Sequence, residues 1–187
     1  MGEMFPDEMS LIVPDALDVA TCDRLIANFN DSLDEGGLVQ GQSASHIRRS
    51  QIGWFNEDQE PEVMRRIIDL VATANRECFD FGLTDFAENA QIARYEGDQR
   101  GHYDWHSDIG ASDVARRRKL TMVIQLSDPA DYEGGQLQLN PAGHVIDAPM
   151  TRGTAILFPS FVLHRVAPTV AGTRFSLSIW IHGQPFR

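Results

Sequence analysis

Ala90-Gln91-Ile92-Ala93-Arg94-Tyr95-Glu96-Gly97-Asp98-Gln99-Arg100-Gly101-His102-Tyr103-Asp104-Trp105-His106-Ser107-Asp108-Ile109-Gly110 is where the grain of the chain changes. From here on, short apolar or alternating runs are broken by turn signals. The runs predict strands at 90–95, 102–107, 119–126, 135–139, 144–147, 154–158, 162–167 and 174–182. Turns are marked by Glu96-Gly97-Asp98, Ile109-Gly110, Glu133-Gly134-Gly135, Pro141-Ala142-Gly143, Arg152-Gly153 and Ala171-Gly172. Many short strands at this spacing predict a double-sheet jelly roll.

Upstream the period is helical. Leu17, Cys22, Leu25, Ile26, Phe29 and Leu33 recur every three to five residues, with Pro14-Asp15 as a start and Gly36-Gly37 as a stop. A second helix is predicted from about Pro61 to Phe79, with a stripe of Met64, Ile67, Ile68, Val71, Asn75 and Cys78, and Gly82 after it. Ser50 to Phe55 reads as a strand between them. The expected fold is mostly β with N-terminal helices, in which at least two α-helices buttress one outer face of the jelly roll. We expect a single domain over 1–187, with helical support over about 1–85 and a jelly-roll core over about 86–183.

The 187 residues suffice for a sizeable core, and 42 % hydrophobic residues mark a globular chain. A net charge of −11 argues against a nucleic-acid partner. The one basic cluster, Arg116-Arg117-Arg118-Lys119, reads as a solvated turn. Cys22 and Cys78 lie on the helical stripes and are expected to be reduced core residues. The N-terminal residues have neither the basic nor the apolar run of a signal peptide, and no stretch has the length of a membrane span. A cytoplasmic protein is the expectation.

Within this frame the chemistry gathers at His106-Ser107-Asp108. Residues two apart on a strand share a face, so His106 and Asp108 can chelate together. His164 follows 56 residues later, far enough for intervening strands to return it beside the pair. Two imidazoles and one carboxylate on one face of Fe(II) leave the other face open. His102-Tyr103-Asp104 is a second H-x-D of the same parity, and spacing does not separate the two. The later pair is preferred because Ile109-Gly110 ends the strand directly after it. His46 and His144 read as surface residues, and His182 as a core or rim residue.

Arg174, Ser176, Ser178 and Trp180 share one face of the last strand, opposite Phe175, Leu177 and Ile179. A planar guanidinium beside hydroxyls suits a carboxylate, and burying it without an anion would be costly. The competing reading is a surface pair with a local Asp or Glu. Thr121, Val123 and Gln125 share a face of the strand at 119–126. If buried, Gln125 needs a partner, which a co-substrate, an internal water or a backbone group could supply.

These residues also resemble a known family. Tyr103-Asp104-Trp105-His106-Ser107-Asp108, Leu126-Ser127-Asp128-Pro129-Ala130-Asp131-Tyr132-Glu133-Gly134-Gly135, and Phe158 to Pro168 running on to Gly172-Thr173-Arg174 and Trp180 are similar to the Fe(II)/2-oxoglutarate dioxygenases of the prolyl-4-hydroxylase type. Within them they resemble the bacterial PKHD-type hydroxylases. The resemblance implies the double-stranded β-helix fold, Fe(II), 2-oxoglutarate and O₂, and admits ascorbate as an accessory. It implies His106, Asp108 and His164 as metal ligands and catalytic residues. Arg174 is implied to pair with the distal carboxylate of the co-substrate, with Tyr95, Tyr103, Thr121, Gln125, Ser176 and Trp180 around the pocket. An Asp at the carboxylate position implies hydroxylation rather than halogenation. The segment Ile109-Gly110-Ala111 and the short tail after Trp180 depart from the PKHD pattern.

The expected activity is hydroxylation of a C–H bond in a prolyl or other residue of a peptide or protein, with release of succinate and CO₂. Oxidation of a free amino acid or small metabolite is the alternative. A non-catalytic metal- or anion-binding module would have no need of all four residues. A zinc hydrolase would want a general-base carboxylate that the motifs lack. Substrate choice is expected to lie in the loops 36–48, 96–102 and 109–118.

Overall fold

The computed structural model describes residues 3–5, 9–36, 38–39, 42–43 and 46–186. The principal strands are β1 (Ser10–Val13), β2 (Gln51–Phe55), β3 (Ala90–Glu96), β4 (His102–His106), β5 (Arg118–Gln125), β6 (Leu137–Asn140), β7 (Ala155–Pro159), β8 (Leu163–Val166) and β9 (Thr169–Gly183). The larger sheet runs β1-β7-β5-β9-β3-β2, extended at its ends by Glu3–Phe5 and Asp34–Glu35. The smaller runs Ile146–Asp147, β6, β8, β4 and Arg48–Arg49. From β3 to β9, successive strands pass alternately from one sheet to the other. That alternation makes the jelly roll.

Helices α1 (Val19–Phe29) and α2 (Pro61–Ala74) cover the outer face of the larger sheet. Cys22 and Leu25 of α1, and Val63, Met64, Ile67 and Val71 of α2, pack on Leu120, Met122 and Ile124 of β5 and on Leu177 and Ile179 of β9. Burial of such side chains stabilises by roughly 1.5–3 kcal/mol each, and this layer is the main core. Val123, Leu137, Leu139, Ile156, Phe158 and Val162 form a second cluster between the sheets. Leu120, Met122 and Ile124 of β5 thus feed the helix-covered core, while Val123, between them, feeds the second cluster.

Several expected boundaries move. Helix α1 starts after Asp18, whose carboxylate accepts from the Thr21 amide at 2.7 Å, not at Pro14-Asp15. It ends at Phe29 and tightens into a 3₁₀ turn, so Leu33 is extended and Asp34–Glu35 pairs with β2 before Gly36. The second helical run does reach Phe79, its last turn widening to a π-helix over Asn75–Phe79. Asp80 stops it with φ of 52°, and the Asn75 amide clasps the Phe81 backbone. Asn75 is thus half-buried and spent on the Phe81 backbone, and Ile68 is exposed. Strand β9 is longer than expected because, besides β3 and β5, it pairs with Tyr132–Gly134 near its start and Leu83–Asp85 at its end. Strand β1 went unpredicted.

Candidate active site

Strands β4 and β8 are antiparallel neighbours, with His106 directly opposite His164 and ring centroids 4.2 Å apart. The register slips by one residue between Tyr103 and His106. This bulge places two residues, Tyr103 and His106, three apart in sequence, on the same face, their rings stacked with centroids 3.6 Å apart. The expectation that His102 and Asp104 share the parity of His106 therefore fails. Asp104 is exposed. Both nitrogens of His102 are turned onto carbonyl oxygens, of Arg100 at 2.9 Å and His46 at 3.3 Å. The later H-x-D pair is the one that enters the interior.

His106, Asp108 and His164 each offer a ligand atom, all within 4.8 Å of one another. His106 Nε2 lies 3.8 Å from Asp108 Oδ1, and His164 Nε2 lies 3.5 Å from Asp108 Oδ2. His106 Nδ1 is 2.7 Å from the Asp104 carbonyl and His164 Nδ1 is 3.0 Å from the Val162 carbonyl. A carbonyl only accepts, so each Nδ1 carries the proton and each Nε2 turns a lone pair inward. Burial, and then the neighbouring His164 imidazole, holds the His106 imidazole down to about 4, leaving it neutral near pH 7.

Asp108 lies just past the end of β4 and is held on every side. Its amide donates to the Ser160 carbonyl at 2.9 Å. Its carbonyl accepts from Arg118 at 3.0 Å. Its Oδ2 accepts from the Thr121 hydroxyl at 2.7 Å, and Thr121 in turn meets the Ser160 hydroxyl at 3.0 Å. Burial pushes the Asp108 carboxyl up, but His164, His106 and the Thr121 hydroxyl outweigh it and hold it below the usual range. Glu88 grips Arg118 through both carboxylate oxygens and meets His182 Nε2 at 3.0 Å. His182 is thus the core residue expected of it, and His46 and His144 are exposed.

Arg174 is fully buried, at 0 % exposure. It donates to Gln125 Oε1 at 2.8 Å and to Ser176 Oγ at 3.4 Å, and its Nε has no partner. It has no carboxylate partner among the described residues, so the surface ion pair weighed for it is not what the structure holds. The Tyr95 ring faces it at 5.4 Å. Gly135, with φ of +67°, lets the side chain through: a Cβ there would lie 3.0 Å from Arg174 Cδ.

A cavity of about 160 Å³ is lined by the three clustered residues together with Tyr95, Tyr103, Thr121, Ser176 and Trp180. The Trp180 indole N–H is buried there without a partner. Gln125 does not line it. Its amide bridges Arg174 and the Pro149 carbonyl, the latter at 3.0 Å. Arg118 was missed: it lines the cavity with its guanidinium 4.3 Å over Trp180, although a run of four basic residues reads as solvated surface. Its neighbours Arg116 and Arg117 do pair at the surface, with Asp113 and Asp85. The loop 96–102 is a hydrogen-bonded turn, Gly101 amide to Glu96 carbonyl at 2.8 Å. Part of 36–48 lies outside the described residues.

Residues 90–182 match the family model described as the 2OG-Fe(II) oxygenase superfamily. A PKHD-type hydroxylase of Synechococcus sp. (strain CC9311) is 30 % identical over 171 residues, covering 88 % of this chain and 74 % of that one. The chain belongs to the 2OG-Fe(II) oxygenase superfamily. Another relative, a PKHD-type hydroxylase of Crocosphaera subtropica, is 27 % identical over 84 % of this chain and 72 % of its own length. A prolyl-4-hydroxylase of Pseudomonas putida superposes with a TM-score of 0.74 at 23 % identity, covering 95 % of this chain and 94 % of that one. A prolyl hydroxylase of Trichoplax adhaerens, in complex with a hypoxia inducible factor peptide fragment, superposes at 0.78 with 22 % identity, covering 94 % and 84 %. The fold is the jelly roll of these 2OG-Fe(II) oxygenases.

As a member of this superfamily the chain is a 2-oxoglutarate-dependent dioxygenase whose cofactors are Fe(II), 2-oxoglutarate and O₂. Its residues fit them. Two inward Nε2 atoms and a carboxylate are the facial donor set that suits Fe(II), leaving adjacent positions open. The buried guanidinium with an unpartnered Nε suits a dicarboxylate. No described helix is long and apolar enough to cross a membrane.

Proposed function

We propose that the chain, acting as one domain over 1–187, hydroxylates a C–H bond in a prolyl or other residue of a peptide or protein. His106, Asp108 and His164 hold Fe(II), and Arg174 holds the C5 carboxylate of 2-oxoglutarate. The observation that carries this reading is a fully buried arginine, paired with no acid, whose neighbours Ser176 and Tyr95 line the same cavity as the His-Asp-His cluster. Desolvating a guanidinium without an anion is costly, and a co-substrate carboxylate removes the cost. The peptide fragment bound to the Trichoplax prolyl hydroxylase supports a peptide substrate. Free Cys22 and Cys78 agree with a cytoplasmic setting.

When bound, Fe(II) and 2-oxoglutarate supply the oxidising chemistry, O₂ being consumed as the keto acid becomes succinate and CO₂. The protein supplies placement. Thr121 and Arg118 fix Asp108, and the carbonyls of Asp104 and Val162 fix the tautomers of the imidazoles. Gln125 and Ser176 aim Arg174, which would hold one end of the co-substrate and so orient the rest of it. Val123, Leu137 and Val166 give the cavity apolar walls that keep water from the reacting atoms. The test is anaerobic titration with Fe(II) and 2-oxoglutarate, which should give the visible charge-transfer band of the chelate. Folded protein without that band would overturn the assignment. Mass spectrometry of peptides after turnover would then show the gain of one oxygen.

A further inference from the structure

Arg48 lines the same cavity from the two-residue strand Arg48–Arg49, which extends the smaller sheet beyond β4. Its guanidinium carbon lies 4.6 Å from the centroid of Tyr103, the ring that stacks on His106. Arg48 Nε donates to Ser50 Oγ at 2.8 Å, and Nη2 donates to Gln91 Oε1 at 2.8 Å. Both acceptors are neutral, and Arg48 forms no ion pair among the described residues. A guanidinium has five N–H donors, so three remain, spread over Nη1 and Nη2, the edge that takes a carboxylate side-on.

The other cations of the site are already committed. Glu88 neutralises Arg118 through both oxygens. Arg174 is fully buried and, on the reading above, serves the co-substrate. Arg48 is therefore the cation lining the cavity whose charge is answered by neither an acid nor the co-substrate. Beside it Trp54, 42 % exposed, leans on Trp180 with centroids 6.1 Å apart, an apolar wall that can hold the rest of a small substrate or one side chain. In a chain of net charge −11, an unneutralised guanidinium on the metal-facing cavity is a local reversal of sign.

We infer that the primary substrate carries a carboxylate and that Arg48 recognises it, placing the oxidisable carbon between Arg48 and the His106-Asp108-His164 cluster. This inference rests on the proposed oxygenase reading and narrows its substrate class. The carboxylate is that of a free amino acid, or of an acidic residue beside the target in a peptide. Both present the same two oxygens to the fork.

The test uses the full chain loaded with Mn(II) and 2-oxoglutarate without O₂, and reads binding by calorimetry. The probes are two acid and amide pairs: L-proline against L-prolinamide, and acetyl-Ala-Pro-Asp-amide against acetyl-Ala-Pro-Asn-amide. One acid should bind about 10–100-fold more tightly than its amide partner, as expected for a charge-assisted pair. The pair that discriminates names the source. Arg48→Gln should erase the preference and Arg48→Lys keep part of it, with 2-oxoglutarate affinity unchanged in both. Four results would each overturn the inference: neither acid binds, acid and amide bind alike, Arg48→Gln keeps the preference, or Arg48→Gln abolishes 2-oxoglutarate binding. Failure of the underlying reading looks different: the wild type then binds no 2-oxoglutarate at all.

Discussion

Replacing Thr121 with Val removes one hydroxyl and changes the shape of the side chain little. That hydroxyl donates to Asp108 Oδ2 at 2.7 Å, in a place where Thr121 is 1 % exposed and Asp108 8 %. A hydrogen bond to a charged group is worth about 1.5–3 kcal/mol. With about 1.4 kcal/mol per factor of ten, losing it should weaken Fe(II) binding by roughly 10- to 100-fold. The lower half of that range is expected, because the Ser160 carbonyl and Arg118 still hold the Asp108 backbone. Anaerobic competition against a chelator of known affinity measures it. Thr121→Ser keeps the hydroxyl and should stay near wild type. Should Thr121→Val hold iron within twofold of wild type, the idea that the larger sheet positions this ligand is wrong.

Arg174→Met should raise the half-saturating 2-oxoglutarate concentration by about 100-fold or more and abolish the thermal shift that 2-oxoglutarate gives. The melting temperature without ligand should move by only a few degrees, because an unneutralised buried charge goes with the lost hydrogen bonds; this is read by scanning calorimetry. His106→Ala should lose iron, whereas His102→Ala should retain it, and metal analysis after dialysis separates them. The Glu88 carboxyl is held at about 2 against burial by His182 and Arg118. Because this folded value is depressed, its stabilisation is complete above the ordinary value near 4.5 and drains away as pH falls toward about 2. Urea unfolding from pH 6 to pH 2 should show Glu88→Gln about 1–3 kcal/mol less stable at the upper end, with the two proteins converging at the lower.

Much of this architecture was legible because the chain alternates with a period of two. Arg174, Ser176, Ser178 and Trp180 were assigned to one face of β9 from spacing alone, and their neighbours do pack under the helices. His164 was found as the lone histidine in the right strand. The bulge in β4 was invisible, because parity arguments assume an unbroken ladder and nothing between Tyr103 and His106 announces an extra residue. Arg118 was lost in a basic run whose other arginines really are superficial. Gln125 was rightly marked as needing a partner, but that partner, Arg174, arrives from a strand 49 residues away. The start of α1 was misplaced because Pro14-Asp15 and Asp18 both carry helix-start chemistry, and only the Thr21 amide chooses between them.

The slip in β4 has one more effect. It sets two look-alike tripeptides half a pleat out of step, so that when one addresses the interior the other must look away. Among the described residues, one His-Asp-His cluster could hold a metal ion. Mis-metallation at the decoy would require the strand to re-thread, and deleting Trp105, inside the slip, is the change that would provoke it.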